Sequence, residues 1–328
     1  MLTRRQNLLE TIHGGSPDRY VNQFEAFKMV QGSPMNKLNP RLKKGDMLVR
    51  NAWGVYRSFP ENVPGAFPVH DQEHIVIKDV ANWRDYVTPP PLNFSAEDWA
   101  PFEKAAAEVD TNEYFRTCMV APGIFEQCHY LMEMQNTLLN FYVEPEAMHE
   151  VIEMITDWEL EWAKQLCEHV HPEAILHHDD WGSRTSSFLS PEMFREFFLE
   201  PYKKVYGYYH DHGVQLIIHH SDSYGANLIP SMIEMGIDIW QGCMRANNIP
   251  KMIADYGGKI SFMCGIDNQD IDDPDWNEER VKFVVKQAIE EGSRHYFIPC
   301  MAGGGPGATF PGLYQAVSAE IDRINSTL

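Results

Sequence analysis

Three side chains able to bind a transition metal stand where predicted strands end: His220, Asp222 and Cys300. The apolar run Val214, Leu216, Ile217 and Ile218 reads as a buried strand, and it leads into His219-His220-Ser221-Asp222. A second run, His295 to Pro299, ends at Cys300, just before Gly303-Gly304-Gly305-Pro306-Gly307. Zinc accepts imidazole nitrogen, carboxylate oxygen and thiolate sulfur, and catalytic zinc keeps three protein ligands and an open position. The same residue types also suit plainer roles. A Cys after a strand packs as a small buried residue, and a His serves as a hydrogen-bonded polar group.

A second polar cluster closes the run Ala174 to Asp180, AILHHDD. Alternation along a strand sends one of His177 and His178, and one of Asp179 and Asp180, inward. Either aspartate suits a substrate anchor or an acid/base group, and equally a helix cap. Glu25, on a predicted strand Tyr20 to Phe27, and Glu126, after the Pro122-Gly123 turn, are further carboxylate candidates. The Gly303 to Gly307 segment has no Lys-Ser/Thr tail, so it is no Walker loop. It reads as a rim loop.

The elements that must position these groups alternate. A short amphipathic helix is expected over Thr3 to His13. Residues 28 to 70 form a Gly-, Pro- and charge-rich excursion, with short strands at Leu48 to Val55 and, beyond it, His74 to Lys78. From Arg116 the rhythm is regular. It gives strand Arg116 to Val120, helix Ile124 to Asn136 and a long helix opened by Pro145. Then come strand Ala174 to Asp180 and a helix capped by Ser190-Pro191. The strand from Val214, the helix Leu228 to Met235 ended by Gly236, and the strand Ile237 to Trp240 follow. Strand Lys259 to Met263, helix Glu278 to Glu291, strand His295 to Pro299 and a last helix to Asn325 complete the chain. Seven or eight strand–helix alternations predict an α/β fold: a (β/α)8 TIM barrel with an N-terminal extension and excursion. One domain is expected over residues 1–328, with 1–110 its embellished part.

Charge and cysteines bound the function. The 328-residue chain carries a formal net charge of −20, which argues against nucleic acid as a partner, since that needs a basic footprint. It also disfavours a substrate bearing many carboxylates. Six cysteines stand without a CxxC pair, so no disulfide framework is expected. No apolar h-region opens the chain, and no apolar run approaches ~18 residues. A reduced, cytoplasmic setting away from membranes is the expectation.

Several segments resemble the uroporphyrinogen decarboxylase superfamily. They are PGIFEQCHYLMEMQNTLLNFYVEPEAMHEVI, HHDDWGSRTSSFLSPEMFREFFLEPYKKV, HHSDSYGANLIPSMIEMGID, CGIDNQDI and YFIPC. The likeness spans the chain and is weakest over residues 28 to 110, where NAWGV echoes a D-x-W-G element. Where true decarboxylases carry an arginine-bearing motif, this chain reads Asn22-Gln23-Phe24-Glu25-Ala26-Phe27-Lys28. It is more similar to the corrinoid-dependent methyltransferase branch, whose zinc sits in His-x-Cys and a distal Cys. The resemblance matches His220 to that His and Cys300 to the distal Cys. Asp222 replaces the middle Cys, as a ligand or as a group that orients one.

The resemblance implies a zinc-dependent methyltransferase that moves a methyl group from a small methoxylated or methylated substrate to Co(I). The corrinoid sits on a separate protein, since a D-x-H-x-x-G pattern is absent here. For such a reaction Asp180, Glu25 and Tyr224 are the catalytic candidates, and Glu126, Asp179 and Gln241 the candidates for substrate contact. Alternatives are methylcorrinoid-to-thiol transfer, decarboxylation, and a non-catalytic binding protein on the same scaffold. The direction of transfer and a homodimeric state stay open.

Overall fold

The N-terminal helix Arg4–Ile12 is where the sheet's interior begins to make sense. Its cap is reciprocal: the Thr3 hydroxyl accepts from the Gln6 amide, and the Gln6 side chain accepts from the Thr3 amide, a capping box. That helix turns Leu8 and Ile12 into an apolar cluster with Phe27, Phe115, Ala174, Leu216, Ile218, Ile239, Met263, Ile298 and Cys300. It plugs one end of the sheet's hollow. Arg5 pins the plug, with its guanidinium over the Phe115 ring at 4.1 Å and 2.8 Å from Glu173. Leu8 is 0% exposed. Leu8→Ala should cost about 2–5 kcal/mol, read as a lower urea midpoint at unchanged slope; a loss under about 1 kcal/mol would show that the plug is not part of the core.

This computed structural model describes residues 1–63 and 65–328. Its strands are β1 (Phe27–Met29), β2 (Val49–Arg50), β3 (Tyr56–Ser58), β4 (Phe67–Pro68), β5 (Phe115–Val120), β6 (Ala174–His178), β7 (Leu216–His220), β8 (Ile239–Gln241), β9 (Ser261–Ile266) and β10 (Phe297–Met301). Seven of them form one parallel, curled sheet in the order β1-β5-β6-β7-β8-β9-β10, and β2-β3-β4 form a small antiparallel sheet. Helices cover the outer face, where Tyr202, Tyr206, Tyr209, Phe197 and Phe198 are buried against the strands. Connections long enough to return a parallel strand carry such helices by geometric necessity. Among the described residues no helix is long and apolar enough to cross a membrane.

The structure corrects the expected eight-stranded closed barrel. Seven strands pair, and among the described residues no ladder joins β10 to β1. The gap is bridged by one residue: the Gln23 backbone amide donates to the Pro299 carbonyl at 3.3 Å, and the Met301 backbone amide donates to Gln23 Oε1 at 3.3 Å. The stretch expected to be a strand from Tyr20 turns instead. Gln23 has φ +52°, and Glu25 and Phe27 donate to the Asn22 and Phe24 carbonyls. Two further expectations shift for local reasons. His74 to Lys78 forms no strand because the Val76 and Ile77 amides are taken by the Leu131 carbonyl. The helix expected over Ile124 to Asn136 breaks at Glu133, φ +73°. The Glu133 carboxylate caps the next helix by accepting from Gln135 and Asn136 at 2.9 and 3.0 Å.

Candidate metal centre

β6 and β7 are parallel neighbours with His177 beside His219 and His178 beside His220. Alternation sends one of each pair to the helices and the other into the hollow. His177 and His219 take the helix side. His177 Nε2–H donates to Glu159 at 2.5 Å. His219 Nε2–H donates to the Asp179 carbonyl at 3.1 Å, and its Nδ1 accepts from the Tyr206 hydroxyl at 3.0 Å. Burial pushes the His219 pKa well below its ordinary value, which suits a neutral ring that both gives and takes a hydrogen bond.

His178 and His220 face the hollow, their rings stacked with centroids 4.4 Å apart. With Asp180, they offer one ligand atom each, all within 4.8 Å of one another. A support holds each imidazole. His178 Nδ1–H donates to Glu126 at 2.9 Å. His220 Nδ1–H donates to Gln241 Oε1. The Gln241 amide cannot flip, because its Nε2–H2 donates to the Met301 and Ala302 carbonyls at 3.1 and 3.2 Å. The network thereby fixes both ring orientations, leaving each Nε2 with no protein partner among the described residues. Asp180 accepts from the Asp222 amide at 3.0 Å.

Charge follows the same arrangement. Burial, then the neighbouring His178 charge, lowers the His220 pKa to about 4, so the ring is neutral. Burial alone would lower His178, but the Glu126 charge and hydrogen bond, then Asp180 and Asp179, outweigh it and hold it up at about 10, so a cation that binds its Nε2 must displace a proton. Burial, opposed by His178, raises the Glu126 carboxyl. Two imidazoles and a carboxylate form a donor set that zinc accepts. His178–Glu126 is the carboxylate–imidazole pairing that commonly backs a metal ligand.

His178 and His220 line a cavity of about 410 Å³ together with Phe24, Met29, Met119, Leu176 and Gln241, with Gly303 to Pro306 and Ala308 along one wall. Gln241→Leu should lower zinc affinity about 10- to 100-fold, the usual effect of removing a ligand's support. Competition against a colorimetric chelator measures this, and an unchanged affinity would show that the amide does not set the ring.

The other sequence-chosen residues lie as follows. Cys300 touches the same glutamine, 3.9 Å from Gln241 Nε2, so it lies at the same end of the sheet as His220. Its thiol donates to the Met301 carbonyl at 3.3 Å, and burial raises its pKa well above the ordinary thiol value. Asp222 lines an outer depression with Phe67, Asn268 and Asp272, and burial, then Asp180, raises its carboxyl to about 7. Neither joins the converging trio. Asp179 is a cap: its carboxylate accepts from the Phe125 and Glu126 amides at 2.9 and 2.7 Å, and from the Tyr202 hydroxyl. Glu126 supports His178. Glu25 pairs with Arg4 and Arg19 at 3.4 and 4.0 Å. Tyr224 donates its amide to the Ser183 carbonyl.

Sequence reasoning missed His178 as a ligand candidate. The signal was present as a repeat, since His178-x-Asp180 and His220-x-Asp222 close consecutive strands with the same spacing. In-register parallel pairing then places the two inward imidazoles side by side.

Fold and site together define a parallel α/β protein with a partly buried, metal-competent trio at the carboxyl ends of its strands, where such folds place ligands. The uroporphyrinogen decarboxylase (URO-D) family model matches residues 55–298, and the chain belongs to that family. A structure described as a methyltransferase from Methanosarcina mazei is similar in fold, with a TM-score of 0.68, 14% identity and 99% of each chain covered. No curated protein matches the sequence.

Proposed function

We propose that this chain is a zinc-dependent methyltransferase, taking a methyl group from a small methoxylated or methylated substrate and passing it to the Co(I) of a corrinoid on a separate protein. The carrying observation is the convergence of His178, Asp180 and His220, two of whose imidazoles line an apolar cavity. The family membership and the methyltransferase named among similar folds support the same reading. Decarboxylation of a polycarboxylate fits less well. Among the described residues lining the cavity there is no lysine or arginine to receive such a substrate.

In this reading His178, Asp180 and His220 hold the zinc. Bound there, zinc would supply Lewis acidity to an ether oxygen and so stabilise the alkoxide or phenoxide that departs. The chain's own groups do the rest. Gln241 and Glu126 fix the two imidazoles so that both present Nε2 to the cavity. A nitrogen–oxygen set without thiolate donates less charge than one with sulfur, which leaves the cation more acidic. Phe24, Met29, Met119 and Leu176 keep the substrate's apolar body out of water and hold its methyl carbon toward the open mouth.

The test is methyl transfer from methyl ethers to a reduced corrinoid protein, followed by the change in the cobalt absorption spectrum. Zinc-loaded protein should methylate the cobalt and release the demethylated alcohol or phenol in equal amount. Transfer only between methylcorrinoid and thiols, with no ether serving as donor, would contradict the reading.

A further inference from the structure

We infer that Gly303 to Phe310 is a movable strap, a wall of the site cavity held in place by a latch made of Asn268 and Asp272. The strap is tied at its two ends. The Gly303 amide donates to Asn268 Oδ1 at 2.7 Å, and the Phe310 amide donates to Asp272 Oδ1 at 2.8 Å. The latch residues are themselves joined, since Asn268 Nδ2 donates to Asp272 Oδ2 at 2.9 Å. They lie one helical turn apart on Asn268–Ile271 and its cap, so a single small element grips both ends.

Between the ties the strap holds mainly to itself. The Ala308 amide donates to the Gly305 carbonyl, and the Thr309 hydroxyl reaches the Pro306 carbonyl. Gly304, Gly305 and Gly307 have nothing within 4 Å of where a side chain would begin, and Gly304 has φ +104°. Glycines in open space preserve backbone freedom that packing does not consume. The wall is also thin. Gly303 and Ala308 line both the inner cavity with His178 and His220 and the outer depression with Asp222 and Phe67. Moving the strap therefore joins the two spaces and changes what size of molecule can lie above the trio. Asn268 and Asp272 are positioning residues that set that size. The inference concerns the wall alone and stands with or without a metal on the trio.

Three variants test it on the metal-free protein. Asp272→Ala removes a charged acceptor, and strap amides should exchange with deuterium about tenfold faster. His220 should then react faster with diethyl pyrocarbonate, while the half-exposed His149 reacts as before and serves as control. Asp272→Asn keeps an acceptor for the Phe310 amide and should behave nearly as the parent protein. Gly305→Ala with Gly307→Ala stiffens the strap without collision, and its exchange should slow about two- to fivefold per site. The global melting curve checks that the rest of the fold is unchanged. Strap exchange that is the same in all variants overturns the latch. Exchange that changes while His220 reactivity does not overturns the wall.

Discussion

His220→Ala should reduce bound zinc from about one equivalent to below about a tenth after dialysis, with methyl transfer falling to background. Loss of a ligand's supporting group alone costs about 10- to 100-fold in affinity, so loss of the ligand itself must exceed that. The geometry makes His220 the keystone of the trio. Its ring is neutral, its Nδ1–H is committed to Gln241, and Nε2 is the atom left for a cation. Alanine leaves two donors, and the remaining pair, His178 and Asp180, lacks the third point that fixes an ion. Elemental analysis of the variant measures this. Retention of stoichiometric zinc would show that the ion sits elsewhere, and a non-catalytic binding role would gain ground if the parent protein bound none.

Asp179→Ala should destabilise the fold by about 3–5 kcal/mol, a large part of the total for a domain of ordinary stability. Asp179 is 0% exposed and satisfies three donors: two amides at the start of the helix Ile124–Met132 and the Tyr202 hydroxyl. Truncation leaves all three buried and unpaired and opens a void beside them. The same helix carries Glu126, so the loss reaches the metal centre by loosening the support of His178. Asp179→Asn keeps one acceptor and should cost about 1–2 kcal/mol. Urea unfolding of both variants checks the ranking. A loss under about 1 kcal/mol for the alanine variant would mean that the cap is dispensable.

The fold was legible where periodicity and punctuation agreed. The helix Glu278–Glu291 has the expected bounds, and Ser190 and Gly236 cap the helices they were expected to cap. It was illegible at the sheet's seam. A turn at Asn22 to Ala26 and a single glutamine replace a strand there, and the apolar pattern of Tyr20 to Phe27 does not reveal a positive φ at Gln23. At the site, the rim position of His220 could be read from one strand ending. The partnership of His178 with His220 could not, because it depends on which strands are neighbours and in what register. Cys300 shows the converse limit. Sequence places it at the rim, and in the structure its sulfur lies against the Met301 carbonyl, outside the converging trio.

The most direct measurement of the central claim is the zinc K-edge X-ray absorption of the loaded protein. If His178, Asp180 and His220 hold the ion, the first shell contains only nitrogen and oxygen, at about 2.0–2.2 Å, with the outer-shell pattern of two imidazoles. A sulfur scatterer at about 2.3 Å would place Cys300 or another thiolate on the metal and contradict the account.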